Sequence, residues 1–195
     1  MSEEKKTRRQ QALDTKVHIF NTAVSLLERQ EFDSITVRDI VRSANVSVGC
    51  FYNYYSSKLD VYYETYFLAD EYFESTVAPA LKGLDFEQAV YLYFDYYARY
   101  SSDLTSLSLT KVLYNSKNKC FDRRLEHGMM PVLVQVIQRA LDGGELVSGE
   151  SAQDIASFLL IAVRGLIYNW CTNDGAYDLR GAMRKFVGRL LRAYI

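Results

Sequence analysis

The stretch Ile35-Thr-Val-Arg-Asp-Ile-Val-Arg-Ser-Ala-Asn-Val-Ser-Val-Gly-Cys-Phe-Tyr-Asn-Tyr-Tyr-Ser-Ser-Lys-Leu59 decides the fold. Thr36 is followed three residues later by Asp39, the form of a capping box, in which a hydroxyl accepts one of the free backbone N–H groups of a helix start. Val37, Ile40, Val41 and Ala44 then make a short apolar face. Asn45-Val46-Ser47 interrupts it, and asparagine is the usual substitute for glycine where a tight turn needs a left-handed backbone. A second short helix is expected from Val48 to Tyr54. Ser57-Lys-Leu-Asp60 repeats the capping pattern and opens a long helix, expected to reach Val77 before Pro79 stops it. Two short helices joined by a turn of three or four residues form a helix-turn-helix, whose second helix can enter the major groove of DNA.

The flanking sequence is helical on both sides. Upstream, from Thr7 to Arg29, Leu13, Val17, Phe20, Val24 and Leu27 recur at steps of three and four, and Ile19, Ala23 and Leu26 broaden the stripe. The basic head, with Lys5, Lys6, Arg8 and Arg9, is expected to fray. Downstream, helices are expected from Phe86 to Tyr100, Leu104 to Asn115, around Asp122 to Leu141 with a break or start near Pro131, Ala152 to Cys171, and Leu179 to Ile195. Gly143-Gly144 and Asn173-Asp-Gly175 mark turns. Two prolines in 195 residues leave helices uninterrupted, and no segment alternates with period two. The fold class is therefore all-α.

The quoted stretch resembles the TetR family of bacterial transcriptional regulators: a threonine-opened helix, a small turn with Val-Ser, a glycine, then an aromatic pair before Ser-Lys. The motif detail covers roughly residues 10 to 65. The resemblance implies a three-helix DNA-binding domain over residues 1–58, followed by a larger helical ligand-binding and dimerisation domain over 59–195. It further implies a homodimer, formed through the last two helices, on a roughly palindromic operator in double-stranded DNA. The expected function is a ligand-responsive regulator, a repressor released by an unknown small-molecule effector. A transcriptional activator without an effector, or a helical protein-interaction module, is the alternative.

Physical chemistry assigns roles along the motif. Thr36 and Ser47 stand at helix starts, where exposed N–H groups and the helix dipole favour a phosphate. Gly49 lacks a side chain and lets the backbone approach DNA. Tyr52 matches a phosphate-contacting tyrosine of the family. Lys58 is a cation in the first turn of a helix, an unfavourable place that a nearby phosphate would explain. Val48, Cys50 and Asn53 are expected to face base edges, since asparagine can pair with adenine and valine can touch a thymine methyl. Phe51, with Tyr54 or Tyr55, should point inward. The sequence departs from the family pattern twice, with Asn45 for the usual glycine and Cys50 for a hydroxyl residue. Cys50 has three readings: a weak base contact, a redox-sensitive thiol, or a small side chain filling space.

Of the 16 tyrosines, all but Tyr168, Tyr177 and Tyr194 lie between Tyr52 and Tyr114. Tyrosines offer apolar walls with polar tips, suited to an aromatic or cationic ligand or simply to a helical core. Tyr63, Tyr66, Phe67, Phe94, Tyr97 and Trp170 are the expected pocket lining. Arg164, alone in charge between Asp154 and Asp174, is either an anchor for an acidic ligand or part of an internal salt bridge. The last two helices carry small residues (Ala156, Ala162, Gly165, Ala182, Gly188) suited to close packing.

Other classes find little footing. Net charge is −1, with residues 1–58 at +2 (9 Lys/Arg, 7 Asp/Glu) and the rest at −3 (14 against 17), so any DNA surface is a local patch. Three scattered cysteines, Cys50, Cys120 and Cys171, fit a reducing cytoplasm. The charged start lacks a secretory core, and the apolar run Ile155 to Trp170 is shorter than the ~20 residues of a membrane span, so no membrane partner is expected. No Gly-rich phosphate loop, metal-ligand spacing or Ser/Cys–His arrangement is visible. His18 and His127 are isolated. No enzyme activity, cofactor or metal is expected.

Overall fold

The computed structural model describes residues 7–118 and 128–194, and all regular secondary structure among them is helical. Cys120, His127, the basic residues Lys5 and Lys6, and the helix start expected at Asp122 lie outside the described residues. The main helices are α1 (Arg8–Leu27), α2 (Val37–Ser43), α3 (Val48–Tyr52), α4 (Lys58–Tyr72), α5 (Phe86–Arg99), α6 (Leu107–Leu113), α7 (Met129–Gly143), α8 (Ala152–Thr172) and α9 (Leu179–Leu191). The chain divides into two compact units, Met1–Glu64 and Thr65–Ile195.

Most of the main helices start with the same chemistry. Thr7, Thr36, Ser47, Asp85, Ser106 and Ser151 each accept a hydrogen bond from the backbone N–H three residues on. Each such cap is worth about 1 kcal/mol. Ser57 does the same for Asp60, but the Asp60 carboxylate reaches back to the backbone N–H of Ser56 rather than closing a box on Ser57.

In the first unit, α1 packs on α2 and buries Ile19, Ala23 and Leu27, and Ile35, Ile40, Val41 and Phe51 are buried as well. The expected stripe through Leu13 and Val17 is a correction: both are about half exposed, because the buried face is the one that meets α2. Tyr62, at the end of this unit, is fully buried and donates to the Ala23 carbonyl at 3.0 Å. His18 lies 3.0 Å from the Ala44 carbonyl, joining α1 to the C-terminal end of α2.

In the second unit, α4 does not stop before Pro79. The chain continues through a π turn, Phe73–Val77, into Ala78–Ala80, with the Ala78 N–H reaching the Phe73 carbonyl. Proline clashes with the carbonyl four residues back in a regular helix, and the wider π turn accommodates it. A second π turn, Tyr100–Leu104, extends α5 and delays α6 until Leu107. A core of Phe73, Tyr93, Phe94, Leu133, Ile137, Ile155 and Leu159 joins α5, α7 and α8. The outer helix α9 packs on α5: Arg180 grips Asp95 with two bonds of 3.0 and 2.7 Å, and Gly188 lies under the Tyr91 hydroxyl, where a Cβ would come within 2.4 Å. Helix α8 is longer than its apolar run, 21 residues, so length does not separate it from a membrane span. Its buried face (Ile155, Leu159, Val163, Ile167) is that of a bundle helix.

Candidate functional site

The first unit presents α2, the turn and α3 as one surface. Thr36 closes a full capping box with Asp39: the Asp39 N–H donates to the threonine hydroxyl at 3.2 Å, and the Thr36 backbone N–H and hydroxyl donate to the carboxylate at 3.0 and 2.6 Å. These bonds hold the Asp39 carboxyl below its ordinary pKa. A carboxylate therefore already occupies the helix start where the sequence reading places a phosphate. Asn45 makes the turn with φ of 52°, the left-handed conformation expected of it.

From that turn α3 projects. Ser47 caps it, its hydroxyl accepting from the Cys50 N–H at 3.0 Å. Phe51 is fully buried and Tyr55 is 3% exposed, its hydroxyl donating to the Lys16 carbonyl at 3.1 Å. Phe51 and Tyr55 thus anchor α3 from within, while Tyr54 is only half-buried. With that face locked inward, Ser47, Val48, Gly49, Tyr52 and Asn53 are all exposed. Cys50 is half-buried. Arg38 and Arg42 on α2 are also exposed and share this unit's surface. They escape a reading centred on the turn, although an arginine pair four residues apart on a short helix is itself a signal.

Lys58 stands differently. Its ammonium donates to the Phe32 carbonyl at 2.6 Å and lies 4.0 Å from the centroid of that residue's ring. Burial lowers its pKa, with Asp33 opposing. This internal engagement accounts for a lysine at a helix start without DNA.

The second unit carries a small polar cleft and a wider groove. One, between α4, the π turn after α5, and α6, holds about 30 Å³ and is lined by Thr65, Tyr66, Ala69, Tyr97, Tyr100, Ser101, Thr105, Thr110, Leu113, Tyr114 and Met129. Its polar atoms form a network. Tyr97 and Tyr114 share a bond of 2.7 Å between hydroxyls, Tyr100 donates to the Thr65 carbonyl at 2.9 Å, and Thr105 and Thr110 both donate to the Ser101 carbonyl. Burial pushes the Tyr114 hydroxyl well above its ordinary pKa, and the neighbouring Tyr97 adds to it. The other cleft is a groove of about 450 Å³ between α5 and α9, where Arg184 lies over the Tyr91 ring.

Of the expected pocket residues, Tyr66 and Tyr97 line the first cleft and Phe94 the second. Tyr63, Phe67 and Trp170 line neither. Phe67 is 49% exposed. Trp170 donates its indole N–H to the Tyr177 carbonyl at 3.0 Å and packs over Gly175, holding the turn between α8 and α9. Arg164 lies beside Tyr97 and Tyr114. No grouping of three or more His, Cys, Asp or Glu residues suited to a metal occurs among the described residues.

A capped two-helix head with its turn has the form of a helix-turn-helix, and a helical body follows it. Residues 19–64 match the family model of bacterial regulatory proteins, tetR family. Solved structures share its fold. The fatty acid degradation regulator FadR of Bacillus halodurans superposes with a TM-score of 0.75 at 18% identity, over 96% of this chain and 97% of that one. FadR of Bacillus subtilis, in complex with stearoyl-CoA, gives 0.71 at 17% identity over 89% and 96%. The Thermus thermophilus repressor FadR, in complex with lauroyl-CoA, gives 0.68 at 18% over 90% and 93%. No curated protein matches the chain by sequence.

Proposed function

We propose that the protein is a repressor that binds a palindromic operator as a homodimer and is released by a small-molecule effector. The carrying observation is α3, whose Phe51 is buried while Val48, Gly49, Tyr52 and Asn53 face solvent beside Arg38 and Arg42. In this reading Ser47, Tyr52, Arg38 and Arg42 take phosphates and Val48, Asn53 and Cys50 read bases. Thr36 and Lys58 contribute first by building the head.

Dimerisation through α8 and α9 is supported by an apolar stripe on α8. Phe158, Ile161 and Tyr168 are 45, 66 and 51% exposed, and Gly165 lies on the same face. An exposed stripe at helical spacing calls for a partner, and a second copy satisfies it with two-fold symmetry. Effector control requires a ligand that binds the DNA-incompetent form more tightly. A coupling of ~1–3 kcal/mol weakens operator binding roughly 5- to 150-fold. The Bacillus subtilis and Thermus thermophilus FadR structures are complexes with stearoyl-CoA and lauroyl-CoA; the small hydroxyl-rich cleft here favours a smaller effector.

The test is selection of genomic DNA fragments by the purified protein, then titration of the selected operator at several salt concentrations. Arg42→Ala should reduce the salt slope by about 1, and Tyr52→Phe should weaken binding to all sequences alike. Enrichment of no DNA sequence, with a protein partner co-purifying instead, would establish an interaction module in its place.

A further inference from the structure

Within the second unit, Thr65 is 2% exposed and lines the cleft beside α5, yet its hydroxyl has no hydrogen-bond partner among the described residues. A buried hydroxyl left unmade is a cost that an alanine or valine would remove. The hydroxyls across the cleft are engaged: Tyr100 holds the Thr65 carbonyl, Tyr97 and Tyr114 hold each other, and Thr105 and Thr110 hold the π turn at Ser101. That π turn is a second mark of the site, since such turns gather at functional positions. It places Tyr100 and Ser101 in the cleft wall.

Size and charge define the ligand. The cleft holds about 30 Å³, room for one small polar group, so the body of a larger ligand lies at its mouth. Half-buried Tyr66, Tyr100 and Met129 surround it, offering ring faces and a soft thioether to a flat body. The Arg164 charge acts on Tyr97 and Tyr114 at the back, while the Asp70 carboxylate acts on Tyr100 at the side. Thr65 can donate to an oxygen acceptor, which the Arg164 charge beside Tyr97 and Tyr114 favours, while the Asp70 carboxylate lies on the Tyr100 side.

Building on the effector reading, we propose that this cleft is the recognition point for a small aromatic carboxylic acid, its carboxylate reaching Thr65 and its ring lying against Tyr66, Tyr100 and Met129. The test uses the full chain with benzoate, benzylamine and octanoate as probes, by calorimetry and thermal shift. Benzoate should bind saturably and raise the melting temperature, more tightly than octanoate, and benzylamine should not bind. Thr65→Val should raise the melting temperature of the ligand-free protein and weaken benzoate about tenfold or more, and Thr65→Ser should restore binding. Benzoate binding unchanged in Thr65→Val, benzylamine or octanoate binding as tightly as benzoate, or no benzoate binding at millimolar concentration would each overturn the assignment. Fragment selection without ligand separates the two readings, since Thr65→Val should select the same DNA as wild type. A protein that selects no DNA but binds benzoate through Thr65 retains the cleft and loses the repressor.

Discussion

The Lys58 ammonium is held by Phe32 twice, by its carbonyl at 2.6 Å and by its ring face at 4.0 Å. The 3-10 turn Phe32–Ser34 is thereby tied to the first turn of α4, across 26 residues of chain. Lys58→Met removes both interactions and leaves the side-chain volume nearly unchanged. It should destabilise the first unit by about 1 kcal/mol and leave the salt slope of operator binding within experimental error of wild type. Urea melts and salt titrations on the same preparation check both. A slope reduced by about 1 with stability unchanged would return Lys58 to the phosphate contacts.

Asn45 holds its φ of 52° between α2 and α3. Asn45→Ala should cost about 1 kcal/mol, because a Cβ-bearing residue without a compensating side-chain bond is strained there, and Asn45→Gly should stay within about 0.5 kcal/mol of wild type. Equal stability of the two variants, by thermal melts, would show that the turn is not under this constraint.

The Asp39 carboxyl is held below its ordinary value first by the Thr36 hydroxyl and then by the Thr36 backbone N–H. A depressed folded pKa means that the cap contributes fully above the ordinary carboxylate range, about 4, and is lost as pH falls through the lowered value. Asp39→Asn should therefore lose stability at pH 7 and show a shallower decline than wild type between pH 4 and 2. Chemical denaturation across that range measures the two slopes, and parallel slopes would remove Asp39 from the acid response.

Ile161, 66% exposed on α8, sits in the middle of the apolar stripe. Ile161→Glu should leave helical circular dichroism unchanged, since nothing internal is lost, but convert a sedimenting dimer to a monomer. Operator affinity should fall with it, because one head then engages one half-site. A variant that remains dimeric would place the symmetry contact elsewhere.

What was legible in the sequence follows the reach of each interaction. Thr36, Ser47, Ser106 and Ser151 cap helices through bonds to residues three positions on, and Asn45 turns the chain by its own φ. Chemistry confined to one helical turn can be read without coordinates. The α1 stripe was less legible, because Leu13 and Ile19 are equally apolar and only the position of α2 decides which is buried. The π turns at Phe73–Val77 and Tyr100–Leu104 left no clear trace beyond Pro79.

The sequence by itself therefore determined the all-helical class, the reading head and the inward role of Phe51, since these rest on periodicity and local hydrogen bonds. Tertiary structure alone decided that Lys58 serves Phe32, that Trp170 serves Tyr177, and that Thr65 lines one cleft with Tyr97 and Tyr114. The partner of Lys58 stands 26 residues away and the walls of the cleft come from four separate segments. Many pairings of equal local chemistry are open to such residues in the chain, and the packing of the helices selects one.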